Sequence, residues 1–360
     1  MKSKKTWLLL SLSCFLLGTL LSTAGIMLGG IPGFYLDKTG VHSSRESAEH
    51  AAEVFQDTLE LTAFDSMELN VHYADVILVP SDRYAVEYRI TGASETPSCQ
   101  VENGRLTFED GPLQNDPRIW FFYTAPNSSY AREPEPGPYY VKIEFPADHA
   151  FSDVSIRMES GDLKLPDLRS DTLQITNQYG DVLLNDFTGQ EFSLSMSSGD
   201  FSAGTLEAGS AKLRNEYGDL TVQAYTGDDL SLDASSSYLS LGTIQAKQFH
   251  IRNDYGDILV NEASGDDFTV DQDSGSFLAD RLDYTSTCIE NEYGNVHIQL
   301  PDDPAAYGYD LHTEYGFIRL DGRSISSGDD DNEVSYRSDG EGEKTVKIFC
   351  ENGDIVVEGL

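Results

Sequence analysis

Hydrophobic and polar residues alternate through most of the chain beyond residue 60. Segments such as LQITN (173–177), DVLLN (181–185), FHIRN (249–253) and DILVN (257–261) place an apolar side chain at every second position. That is the periodicity of a strand with one buried face. Nothing in residues 150–360 keeps the spacing of a long amphipathic helix. The segments are separated by turns built on glycine: ESGDL around Gly161, QYGDV around Gly180, SSGDF around Gly199, EYGDL around Gly218, DYGDI around Gly256, DSGSF around Gly275 and EYGNV around Gly294. The interval is a constant 19 residues, with Ser237 of SSSYL standing where one glycine is missing. Two further turns, EYGFI at Gly316 and ENGDI at Gly353, come at wider intervals, as if short loops had been added.

A unit this short cannot bury its own apolar face, so stacked copies must do it, which is the logic of a β-solenoid. The pattern therefore predicts an all-β fold: a single-stranded β-helix with about 19 residues per coil and with Leu173, Ile175, Val182, Leu184, Leu213, Leu220 and Val222 pointing inward. The turns alternate between Tyr-Gly and Ser-Gly, which leaves a structural unit of twice that length open. Residues 64–160 carry the same grammar less regularly, in MELNV (67–71), DVILV (75–79), YAVEYRI (84–90), RLTF (105–108) and YYVKIEF (139–145).

The N-terminus is different. Lys2, Lys4 and Lys5 precede an apolar run from Trp7 to Ile31 with no charge in it, long enough to span a bilayer as a helix. With the next charges at Asp37 and Lys38, the positive-inside rule keeps residues 1–6 in the cytoplasm and exports the rest. The expected organisation is a transmembrane signal anchor over 7–31, a partly helical juxtamembrane linker over 32–60, and a β-strand-repeat domain over 61–360. Within that domain, 110–138 is a long insertion and 150–300 holds the regular repeats. The expected location is the cell membrane, single-pass, with the large domain extracytoplasmic. Ser22 and Ala24 fit a small-residue cleavage site and keep a cleaved signal peptide as the competing reading, whereas Cys14 lies in a poor lipobox.

Charge narrows the partners. Against 24 Lys+Arg stand 61 Asp+Glu, a net charge of −37. Such an excess of carboxylates repels phosphate backbones and anionic headgroups, so nucleic acid is excluded as a partner. Disorder is excluded as well, because 39% of residues are hydrophobic and 11% aromatic. Beyond the apolar run, Cys99, Cys288 and Cys350 are an odd number without a Cys-x-x-Cys, and they read as scattered small hydrophobes.

The succession ADVILV, a hydrophilic hairpin, NGRLTF, YYVKIEFP and then serial SGDL and YGDV turns resembles the bacterial putative-adhesin domain built of β-strand repeats, over roughly residues 60–360. The resemblance implies a right-handed, pectate-lyase-like β-helix on the bacterial envelope behind a membrane segment. It brings no catalytic residues.

Three features are candidates for chemistry. Asp162, Asp181, Asp200, Asp219 and Asp257 follow the corner glycines, and with Asp329 and Asp331 they are the candidate calcium ligands, although the nonapeptides of calcium β-rolls and a complete EF-hand loop are both missing. Solvated turn aspartates are the simpler reading of the same residues. Tyr179, Tyr217, Tyr255 and Tyr293 recur at twice the repeat interval, with Tyr315 close behind, either as a row for stacking on sugars or as structural corners. Trp120, Phe121, Phe122 and Tyr123 in the insertion are the candidate binding surface, or else an end cap. Enzymatic readings find little footing. Lys212, Arg214, Lys247, His250, Arg252 and Arg281 are dispersed among acids, and aspartates are too common for any pair to stand out.

The sequence thus points to a membrane-anchored, extracytoplasmic β-helix that binds without catalysis, as an adhesin-like surface protein whose partner is a cell-wall or surface glycan or a protein. An envelope-stress or regulatory scaffold that binds a membrane protein is the alternative, and a polysaccharide-active enzyme on a β-helix ranks third.

Overall fold

The computed structural model describes residues 34–37, 40–43, 54–91, 95–111, 119–121, 138–325, 333–339 and 343–360. Two compact units divide the chain. The first comprises Met1–Val54, Thr91–Glu95 and Pro112–Gly137, the second Phe55–Ile90, Thr96–Gly111 and Pro138–Leu360. Residues 7–31 lie outside the described residues, among which no helix is long and apolar enough to cross a membrane.

In the first unit, Phe34–Asp37 pairs antiparallel with Gly40–Ser43 and with Ile119–Phe121, so that Tyr35 lies opposite Trp120 and Phe34 opposite Phe121. The linker read as partly helical is extended wherever it is described, at Phe34–Asp37, Gly40–Ser43 and Val54–Glu60. Val54, Phe55 and Thr58 are residues that favour a pleated strand, and Val54–Glu60 runs beside Ala85–Thr91, which supplies backbone partners that a helix does not need.

The second unit is all-β and solenoid-like. Its only described helical element is the single 3-10 turn Pro304–Ala306. Parallel pairing carries it: Phe201–Tyr217 lies on Leu220–Ser236, that on Leu239–Tyr255, and that on Ile258–Ser274, with Leu220 opposite Leu239 and Leu239 opposite Ile258. Side chains at equal positions in successive turns therefore form columns. Leu173, Ile175, Val182, Leu184, Leu213, Leu220 and Val222 are all buried, as the alternation requires. Phe187, Phe192, Phe201, Phe249, Phe268, Phe277 and Tyr284 fill the wider parts of the interior.

The corner explains the glycines. Gly218 has φ +118°, a conformation costly for any residue with a Cβ, and a Cβ there would overlap the carbonyl oxygen of Gly199 beneath it. The same overlap repeats from Gly180 on Gly161 to Gly294 on Gly275.

At both ends, the order in space departs from the order in sequence. Ala150–Ser160 pairs on one side with Leu168–Tyr179 and on the other with Ser66–Tyr73, while Leu163–Leu165 lies between Val182–Leu184 and Asp75–Ser81. Beyond Ser66–Ser81 come Arg105–Glu109 and Tyr140–Pro146, closed by the antiparallel strands Ser98–Glu102 and Ala85–Thr91. At the far end, Thr345–Asn352 is inserted between Leu282–Tyr293 and Gly308–Tyr315, and Ile355–Gly359 between Val296–Leu300 and Ile318–Leu320. Antiparallel Val334–Ser338 and Arg323–Ile325 then close the stack.

This corrects one expectation. The turns at Gly316 and Gly353 are not successive coils with loops added, because Gly353 stacks on Gly294 and Gly316 on Gly353. The final strand Ile355–Gly359 is paired on both sides. Antiparallel closure at each end removes the parallel edges that would otherwise template association. Cys99, Cys288 and Cys350 are free thiols.

Candidate functional site

Three columns meet at the glycine corner. The innermost runs Met158, Asn177, Met196, Asn215, Ala234, Asn253, Gln272, Asn291, Cys350 and Thr313. Each of its amides is buried and donates to corner carbonyls. Asn177 Nδ2 reaches the oxygens of Gly161 at 3.2 Å and Gly180 at 3.1 Å, and Asn215 Nδ2 those of Gly199 at 2.9 Å and Gly218 at 3.0 Å. Asn253 serves Ser237 and Gly256 in the same way. One amide has two hydrogens and satisfies two successive turns, so from Asn177 to Asn253 only every second turn carries an asparagine and the intervening place is held by Met196 or Ala234, whereas Gln272 on the next turn adds a second donor to Gly256 at 2.7 Å. At the spliced end the donors change while the job continues: Asn291 to Gly275, Cys350 Sγ to Gly294 and Thr313 Oγ1 to Gly353.

The second column is the aspartate ladder. The backbone N–H of Asp181 donates to Asp162 Oδ1 at 3.1 Å, that of Asp200 to Asp181 at 2.9 Å, and that of Asp219 to Asp200 at 2.8 Å. Tyr238 N–H donates to Asp219 and Ser276 N–H to Asp257. Asn295 takes the same role towards Asp354, so an uncharged acceptor suffices. The five candidate calcium ligands of the repeats thus lie in one column, Asp162 to Asp219 on consecutive turns and Asp257 two turns beyond, with one oxygen of each committed to the next turn. Asp329 and Asp331 lie outside the described residues. Among the described residues, no group of three or more His, Cys, Asp or Glu is arranged to hold a metal ion. A shallow depression of about 310 Å³ flanks the ladder, lined by Asp162, Lys164, Asp181, Leu183, Asp200 and Ser202.

The third column stands just before the glycines and faces solvent. It runs Tyr73, Ser160, Tyr179, Ser198, Tyr217, Ser236, Tyr255, Ser274, Tyr293, Asn352 and Tyr315. Its six tyrosines are between 51% and 61% exposed. None of their hydroxyls has a hydrogen-bond partner, and none of their rings a ring partner, among the described residues. Sequence periodicity reveals four of these tyrosines and a fifth nearby. Tyr73 joins them only because Ser66–Tyr73 stacks on Ala150–Ser160, a long-range pairing with no local signature.

The remaining candidates do not converge. Trp120 and Phe121 stand in the first unit's Ile119–Phe121 strand, and Phe122 and Tyr123 lie outside the described residues. The cations of the repeats are dispersed over the outer faces in local pairs: Lys247 with Asp228 at 2.6 Å, Arg281 with Glu262 at 3.2 Å and Arg252 with Asp254 at 3.6 Å. His250 shares a 2.7 Å hydrogen bond with Thr269.

Solved structures similar to this chain include a putative adhesin of Parabacteroides distasonis, at 12% identity and TM-score 0.42, covering 86% of this chain and 98% of that one. Another is a putative adhesin of Parabacteroides merdae, at 8% identity and TM-score 0.38, covering 69% of this chain and 97% of that one. A third is a putative adhesin of Bacteroides fragilis, at 9% identity and TM-score 0.29, covering 86% and 98%. No curated protein matches the chain. Its sequence does match the Toastrack DUF4097 family over residues 64–219 and 190–358, and with its glycine corners and stacked strands the chain belongs to that family.

Proposed function

We propose that this protein is a non-catalytic, adhesin-like binding protein of the bacterial envelope, wound at one coil per 19 residues and held to the membrane by residues 7–31, with the strand-repeat domain on the extracytoplasmic side. The observation that carries this reading is the column of six exposed tyrosines, one on every second turn. A single active site concentrates its groups at one place. A surface that offers the same side chain at a fixed interval suits an extended partner met at many points, each contributing little. The net charge of −37 turns that surface away from polyanions.

The test is co-sedimentation of the full chain, purified in mild detergent, with isolated bacterial cell walls. An unrelated protein of similar acidity serves as control. Saturable binding above the control is expected. Binding no better than the control, together with recovery of one specific protein from solubilised envelopes, would replace this reading with the scaffold.

A further inference from the structure

We infer that the tyrosine column is a binding site for an uncharged, extended 1,4-β-linked polysaccharide laid along the stack, an assignment that rests on the surface-binding reading above. Three observations carry it.

First, the fold does not need these rings. In alternate turns the same position is held by Ser160, Ser198, Ser236 and Ser274, with identical pairing on both sides. Six half-exposed tyrosines, whose side chains bond to nothing among the described residues, are apolar surface kept in water.

Second, the spacing selects the shape of the ligand. Neighbouring strands lie about 4.8 Å apart, so tyrosines on every second turn stand about 9.6 Å apart and six of them span about 48 Å. An extended 1,4-β-linked glycan repeats every two sugars at close to two strand spacings. Each ring then meets the C–H face of every second sugar, and the serine between two rings leaves room for the intervening one.

Third, the flanks select its chemistry. Glu216, Asp254 and Glu292 immediately precede Tyr217, Tyr255 and Tyr293, and Asp181, Asp219 and Asp257 follow the corner glycines. Carboxylates on both sides accept hydrogen bonds from sugar hydroxyls and repel uronate, sulfate and phosphate groups.

The experiment uses the full chain in detergent and two insoluble probes, microcrystalline cellulose and chitin. Its comparison variant carries Y179S, Y217S, Y255S and Y293S together, which copies the residue already present in alternate turns, and a companion carries phenylalanine at the same four positions. Saturable binding to at least one probe is expected, weakened at least tenfold by the serine set and largely kept by the phenylalanine set. Soluble cello- or chito-oligosaccharides should compete, and polygalacturonate should not. Competition of the wild-type protein needs no variant, so the assignment is testable even if the serine set misfolds. Equal binding by the folded serine variant would overturn it, as would displacement by polylysine but not by oligosaccharides, which would mark a cationic polypeptide as the partner. Wall binding that survives the serine set removes this site and leaves the broader reading standing, whereas failure to bind walls and both probes removes both.

Discussion

The backbone N–H of Asp354 donates to the side-chain oxygen of Asn295 at 2.9 Å, across 59 residues of sequence. In the regular repeats the bonds of this kind join residues 19 apart, as between Asp219 and Asp200. The long step marks where the last part of the chain returns and is inserted beneath Gly308–Tyr315. Sequence order and stacking order part company there, while the local chemistry of the corner carries on.

The corner glycines should be the least replaceable residues. Gly218→Ala forces a Cβ onto the Gly199 carbonyl at φ +118° and is expected to cost more than about 3 kcal/mol. Gly322 also has a positive φ, +73°, but nothing stands within 4 Å of its would-be Cβ, so Gly322→Ala should cost only about 1 kcal/mol. Thermal unfolding of the two variants checks the contrast, and equal losses would contradict it.

Asn215→Ala strips a side-chain donor from two part-buried carbonyls, those of Gly199 and Gly218. The expected loss is about 2–4 kcal/mol, read from denaturant unfolding. Ala234→Gly, at the same column position in the next turn, removes no hydrogen bond and should cost about 1 kcal/mol or less. A similar loss for both would mean that the amide is not satisfying the corner.

In the aspartate ladder, Asp162, Asp181, Asp200 and Asp219 stand on consecutive turns about 4.8 Å apart, close enough to repel. Asp200→Asn keeps the acceptor for Asp219 N–H and removes a charge, so it should raise the melting temperature at low ionic strength. Asp200→Ala loses the acceptor and should lower stability by about 1 kcal/mol. Sodium and calcium at equal ionic strength should stabilise the wild type alike; a much larger rise with calcium would show a specific site.

Glu144 sits in a charge cluster at the N-terminal cap, 2.7 Å from Arg83 Nε and 2.9 Å from Lys142 Nζ. The hydrogen bond from Arg83, then that from Lys142, lowers its carboxyl from the ordinary 4.5 to about 2. A carboxyl depressed by folding stabilises fully above its unfolded value. That contribution fades as pH falls from about 4.5 towards about 2. Glu144→Gln should therefore be less stable than wild type at neutral pH, and the gap should narrow on acidification through that window. A gap independent of pH would contradict the assignment.

Much of this was legible in the residues. Period-two alternation placed Leu173, Ile175, Leu220 and Val222 inside, and the glycine turns located the corners. The family followed from the serial SGD and YGD motifs. Two things were not legible. The insertion of Thr345–Gly359 depends on which strand edge is open when the chain returns, and no local pattern records that. The role of Asn177, Asn215 and Asn253 was hidden because asparagine three residues before a glycine reads as turn chemistry, and only the stacked backbone shows that one amide serves two turns. The same fact accounts for asparagine recurring at twice the 19-residue pairing interval from Asn177 to Asn253.

The most direct test of the central claim, that the repeated tyrosines act together on an extended glycan, is the dependence of affinity on oligosaccharide length. Calorimetric titration of the full chain with cello- or chito-oligosaccharides of increasing length should show affinity rising with each added disaccharide as further rings are engaged, then levelling when the column is spanned. An affinity that does not change with length would contradict the account.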